Sequence, residues 1–200
     1  MSDVSRSIKS GVGSGLIAGV VFAIAQVIAT VAMGEPAIVA FRRYASILLG
    51  PPALASLPAG TVISIGLFAH LYLSAMYGLF YGVYNSALTM PTRRSFARQA
   101  AVGSLFGVML WLINFHVFAL YRYPWLLELP RLPQLVLHAL CFGLPLGLLY
   151  AAFDGRVTRR LVSDRSPRAR LPRARLHSRS RDRGTWSASR DEAPDRVRTA

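Results

Sequence analysis

Residues 98–153 read RQAAVGSLFGVMLWLINFHVFALYRYPWLLELPRLPQLVLHALCFGLPLGLLYAAF, and this stretch decides the fold. It holds two uncharged runs, residues 99–120 and 132–153. At about 1.5 Å per residue each is long enough to cross a hydrocarbon core of about 30 Å. Between them lie Tyr121, Arg122, Tyr123, Trp125, Glu128 and Arg131, the amphipathic and charged types that settle at a membrane boundary. The pair reads as a transmembrane hairpin, because a soluble fold has no ready way to bury both runs.

Toward the N-terminus the pattern repeats. Residues 59–88 form a third apolar run, and residues 11–33 a fourth in which only Gln26 is strongly polar. The latter is too long for the core of a cleavable signal, so a retained span is expected. Residues 37–49 are apolar but too short to cross and are interrupted by Arg42 and Arg43, which suits an interfacial or re-entrant helix. Gly50, Pro51, Pro52 and Pro58 then break the chain before the next span. The expected fold is all-α: an integral membrane four-helix bundle (spans 11–33, 59–88, 99–120 and 132–153) with a short interfacial helix between spans one and two. Residues 1–10 form a cytoplasmic head, 11–153 the membrane domain, and 154–200 a basic, mostly disordered tail.

Composition agrees. Of 200 residues 53% are hydrophobic, and the formal charge of +14 is unevenly placed. Residues 1–153 hold nine Lys and Arg against three acids, while 154–200 hold fourteen Arg against six acids. From residue 163 the tail alternates Arg with Ser, Pro and Asp, and carries too few large apolar residues to offset the entropy of ordering. Its Arg runs read first as a solvated extension that reinforces orientation, and second as contacts to anionic lipid headgroups. Nucleic acid is the weakest reading, because Trp186 is the tail's only aromatic residue and no nucleic-acid module is present. Arg6, Lys9, Arg93, Arg94, Arg98, Arg156, Arg159 and Arg160 flank one side of the spans, against Arg42, Arg43, Arg122 and Arg131 on the other. That asymmetry places both termini in the cytoplasm. Cys141 is the only cysteine, which excludes an intramolecular disulfide.

Every span carries a Gly-x-x-x-Gly pair: Gly15 and Gly19, Gly78 and Gly82, Gly103 and Gly107, Gly143 and Gly147. In lipid such pairs let backbones approach closely, which predicts a tight bundle, narrowest toward the cytoplasm, and offers surfaces for a homo-oligomer or other membrane proteins. Gly15, Gly19, Val20 and Gln26 share their spacing with Gly103, Gly107, Val108 and Asn114, which suggests a duplicated hairpin related by an axis along the membrane normal.

Polar groups at membrane depth face protein or water. Gln26, His70, Ser74, Asn114 and His138 are expected to line a pocket in the outer half of the bilayer. His116 falls on another side of its helix and suits a different interface or the headgroups. Arg42 and Arg43 suit an anion or a lipid headgroup, or the anchoring of their helix. His70 and His138 could hold haem or a metal, but their commoner role is to bond neighbouring helices. With no paired His on one helix, no Cys-x-x-Cys and no intramembrane carboxylate, the sequence requires no cofactor or metal. Nor does it specify catalysis. No nucleophile and base pair or phosphate loop is present, and the glycines at positions 11, 13 and 15 follow no strand. A structural or small-ligand-binding membrane component is the leading reading, followed by a haem or metal redox protein and an oligomeric transporter or channel subunit.

The Gly-rich first span, Gly50 after the Arg-bearing segment, His70, Asn114-Phe115-His116, Tyr123-Pro124-Trp125 and the last span led by His138 together resemble bacterial four-span inner-membrane proteins, a family of uncharacterised members. The resemblance covers residues 11–153 and implies topology and a bacterial inner-membrane location, with no catalytic role.

Overall fold

The structure, a computed structural model, describes residues 3–165, with side chains as far as Gly155. Most of the expected tail lies outside the described residues. The last helix runs unbroken past Asp154 to Arg165, with no proline to stop it before Pro167.

The fold is an all-helical bundle. Helix α1 spans Asp3–Ala32 and closes on Gly34, whose φ of 84° permits the turn. There Gly34 N donates to Val31 O at 2.9 Å and Glu35 N to Thr30 O at 3.1 Å, the paired bonds of a Schellman stop. Helices α2 (Ile38–Leu49) and α3 (Pro52–Ala55) follow, then α4 (Ala59–Ser86) and the short α5 (Met90–Arg94). Helix α6 (Phe96–Ile113) continues through a π turn at Asn114–Phe118 into α7 (Ala119–Tyr121). A 3-10 turn at Pro124–Glu128 leads to α8 (Arg131–Val136), a second π turn at Leu137–Gly143, and α9 (Leu144–Arg165). Four helical stretches are long and apolar enough to cross a membrane: Asp3–Ala32, Ala59–Ser86, Phe96–Tyr121 and Arg131–Gly155.

The distribution of side chains fits lipid as the solvent. Ile28, Phe68 and Leu105 are each more than 60% exposed, while Ser7, Ser14, Thr30, Asn85 and Gln99 are fully buried. A water-soluble bundle does the reverse. In hydrocarbon, large apolar groups face outward at no cost, and small and polar ones hold the interior together.

The glycines explain which helices touch. A Cβ on Gly11, Gly15, Gly78 or Gly82 would collide with backbone across the α1/α4 interface. Gly103, Gly107, Gly143 and Gly147 behave alike where α6 meets the last span. All four sequence pairs are thus spent inside one chain, joining span one to span two and span three to span four.

The two hairpins pack in matching ways, in a register that differs from the expected one. Gly11 sits against Gly78 and Gly82 as Gly103 sits against Gly143 and Gly147, and Gly82 meets Ser7 O as Gly147 meets Gln99 O. Gly11 is therefore the counterpart of Gly103, one turn from the alignment that paired Gly15 with it and made Gln26 equivalent to Asn114. Further along, Gly15 meets Ser74 O while Gly107 meets His138 O. Ser74 lies four residues before Gly78, and His138 five before Gly143. The π turn absorbs that extra residue, which is why the second spans align poorly as plain sequence.

Candidate functional site

At the end of the bundle where α2 and the Pro124–Glu128 turn lie, the four spans part around a cavity of about 360 Å³. That is within the range of small-ligand sites, roughly 300–1,000 Å³. Phe22 and Gln26 reach it from α1, His70, Ser74 and Tyr77 from α4, Asn114 from the first π turn, and Gln134 and His138 from the last span. Helix α2 contributes Arg43 and Tyr44, and the linker contributes Tyr123 and Trp125. Tyr123 Oη donates to Ile47 O at 3.2 Å, tying linker to α2 over the opening. Helix α2 is seated by Gly66, whose missing Cβ makes room for the Phe41 carbonyl.

Gln26, His70, Ser74, Asn114 and His138 all line this one cavity. Arg42 and Arg43 part company. Arg42 donates to Ala53 O and Leu57 O at 3.1 and 3.2 Å, fastening α3, whereas Arg43 lines the cavity and binds Glu35 at 2.8 Å. His116 is exposed and packs its ring edge-on to Trp111 at 5.1 Å, away from the cavity lining.

The imidazoles are held by backbone. His70 Nε2 lies 2.8 Å from Gly19 O; a carbonyl only accepts, so Nε2 carries the proton and pins α4 to α1. By the same logic His138 Nδ1 donates to Gln134 O at 2.7 Å, leaving Nε2 to accept from Asn114 Nδ2 at 3.4 Å. Ser74 likewise donates to His70 O, four residues back, as His138 does to Gln134 O, so counterpart positions of the two hairpins make the same kind of bond. Aromatic rings fill the space between. Tyr44 stacks on His70 at 4.4 Å, Phe22 stacks on its ring at 5.6 Å, and Phe22 meets His138 edge-on at 4.9 Å. Phe22 packs against both imidazoles. Among the described residues no group of three His, Cys, Asp or Glu is placed to hold a metal.

Four residues of the cavity lining each carry a buried side-chain polar atom without a partner among the described residues: Gln26 Nε2, Arg43 Nη1, Tyr44 Oη and Gln134 Nε2. Gln26, Tyr44 and Gln134 are at least nine-tenths buried. An orphaned buried donor costs about 1–3 kcal/mol, so such groups clustered on one cavity call for an acceptor.

The opposite end is closed by polar contacts that the sequence reading missed. Arg93, 1% exposed, donates to Asp3 at 2.6 Å and to Asp154 at 2.7 Å, joining α5 to the first and last spans. Burial opposes its charge, but those two carboxylates outweigh burial and raise its pKa further. Tyr150 and Ser7 hydroxyls bond at 2.5 Å, and Ser7 Oγ donates to Gly82 O at 2.7 Å. Beside them Tyr81 donates to Gln99 Oε1 at 2.5 Å, and Gln99 Nε2 to Asn85 Oδ1 at 2.6 Å. One signal could have found the first cluster: acids are scarce in the membrane domain and its edges, and Asp3 and Asp154 fall on the same flank as Arg93.

Comparison with known proteins finds no family model, curated protein or solved structure that the chain matches. Fold and site define a class by themselves: a four-span helical membrane protein with a polar-lined cavity at one end and a charge-locked seal at the other.

Proposed function

We propose that this chain is a ligand-binding component of a bacterial inner membrane, with both termini in the cytoplasm, whose outer-end cavity takes one small amphiphile. The cation asymmetry between flanks and the resemblance to bacterial four-span proteins support location and orientation. The observation that carries the ligand reading is convergence: polar side chains from all four spans and from α2 meet on one cavity of about 360 Å³. Its walls also include Phe22, Tyr77, Leu110 and Phe142, so a ligand with an apolar body fits.

The haem or metal reading has less support. His70 and His138 each already give a ring nitrogen to a carbonyl, and Phe22 packs against both. An oligomeric transporter or channel is likewise weaker, because the glycine pairs that would have supplied its interfaces are used within the chain.

Native mass spectrometry of the full chain released from phosphatidylcholine nanodiscs tests the reading, with twelve-carbon amphiphiles of different head groups as probes. One equivalent of at least one probe is expected to stay bound, and Leu73→Trp, which fills the cavity wall, to abolish it. Retention of none, or retention unchanged by Leu73→Trp, overturns it.

A further inference from the structure

The orphaned buried polar atoms of the lining residues can all donate. Gln26 Nε2, Tyr44 Oη, Gln134 Nε2 and Arg43 Nη1 are buried and unpartnered among the described residues, and belong to residues of one cavity lining. His138 does not answer them, since its Nδ1 donates to Gln134 O and its Nε2 accepts from Asn114, while His70 donates Nε2 to Gly19 O and keeps only Nδ1 as an acceptor. Charge points the same way. Arg43 and Arg122 both line the cavity, and among the described residues no Asp or Glu does. Glu35 takes one arm of Arg43 at 2.8 Å from outside the lining, while Arg122 lies over the Tyr123 ring at 5.6 Å and forms no ion pair among the described residues. With Tyr123 and Trp125 beside it, Arg122 belongs to the boundary types found at headgroup depth.

Resting on the ligand reading above, we infer that the occupant carries an anionic, oxygen-rich head on an apolar body: a single-chain carboxylate or phosphate monoester. The head sits among the two amide nitrogens, the Tyr44 hydroxyl and Arg43, a donor set that matches carboxylate or phosphate oxygens. The chain lies along Phe22, Leu110 and Phe142.

The test compares probes and variants in phosphatidylcholine nanodiscs. Dodecanoate and dodecyl phosphate are expected to be retained one per chain, and methyl dodecanoate about tenfold less, the ratio that loss of a charge-assisted hydrogen bond produces. Acetate and inorganic phosphate, which have the head without the chain, are expected not to be retained. Tyr44→Phe and Gln134→Met are each expected to weaken dodecanoate retention about fivefold or more while leaving the melting temperature unchanged or higher, because an orphaned donor is removed from the empty protein. Arg43→Gln combined with Glu35→Gln is expected to bring the ratio of dodecanoate to its ester near one.

Each contrary result is distinct. Equal retention of the ester and the acid overturns the anionic head and leaves the ligand reading intact; retention of no probe overturns both. Binding of acetate or inorganic phosphate as tight as that of the amphiphiles assigns the site to a free anion and overturns the apolar body. Tyr44→Phe and Gln134→Met that melt lower and bind as before show those groups to be packing elements, and overturn their assignment as ligand donors.

Discussion

Arg93 and Asp154 are paired at 2.7 Å with side chains 1% and 3% exposed, so the pair is shielded from water. Losing one member of such a pair costs about 3–5 kcal/mol, because its partner stays buried and charged. Arg93→Met is expected to lower stability by that amount, read as a fall in melting temperature of the detergent-solubilised chain. Arg93→Met with Asp154→Leu is expected to recover more than half of the loss, since no orphaned charge remains. Asp3→Asn is expected to cost about 1 kcal/mol or less, as befits a carboxylate that is 43% exposed. A double variant no better than Arg93→Met alone would show that shape, not charge, holds this end.

The same cluster sets a pH dependence. Helix α1 has 30 residues, hence about 45 Å against a core of about 30 Å, and its first turns stand clear of hydrocarbon. The hydrogen bond from Arg93 holds the Asp3 carboxyl below its ordinary value of 3.8, against the opposing effect of burial. A depressed folded pKa adds stability that is present above the unfolded value and lost as pH falls through the folded one. The melting temperature should therefore be insensitive to Asp3 between about pH 7 and 5, and fall below about pH 4. Asp3→Asn should make the decline below that point shallower; an identical acid limb in the variant would assign the loss to other groups.

Span number, the helical class and the co-location of Gln26, His70, Ser74, Asn114 and His138 were legible, because hydropathy and glycine spacing act within single helices. Long-range pairing was not. Gly15 aligns with Gly103 by spacing, yet interface contacts make Gly11 its counterpart, and the residue absorbed by the Leu137–Gly143 π turn has no signature in a periodic pattern. Tyr44 and Gln134, two of the cavity's orphaned donors, were passed over because one lies on α2 and the other in the short turn opening the last span. Only the fold brings them over the cavity.

Glycine positions that look alike in sequence should respond in opposite directions. A Cβ at Gly147 would fall on the Gln99 carbonyl and crowd Gly103 Cα, whereas one at Gly60 meets nothing within 4 Å. Gly147→Ala forces two backbones apart and is expected to cost about 1–3 kcal/mol. Gly60→Ala, in the first turn of α4, is expected to be neutral or to gain up to about 1 kcal/mol from helix propensity. Thermal unfolding in one detergent separates them, and equal effects would mean that the hairpins do not meet at the glycines.

Each hairpin makes its closest contacts with itself, Gly11 on Gly78 and Gly82 in one, Gly103 on Gly143 and Gly147 in the other. A chain cut in the segment between Ser86 and Met90 should therefore yield two fragments that each insert as a closed pair of spans. What rejoins them is specific: Arg93 in the second fragment reaches Asp3 in the first, Tyr150 reaches Ser7, and Gln99 reaches Tyr81 and Asn85. These bonds lie at the sealed end, so they can form without the missing covalent link. The two fragments, co-expressed with a tag on one only, are expected to co-purify. Arg93→Met combined with Tyr150→Phe should reduce recovery of the untagged fragment several-fold, since interhelical hydrogen bonds in membranes contribute about 1 kcal/mol each and the Arg93–Asp3 pair, its carboxylate 43% exposed, about as much again. Co-purification unaffected by both substitutions would place the cohesion of the halves in lipid-facing packing rather than in the polar seal.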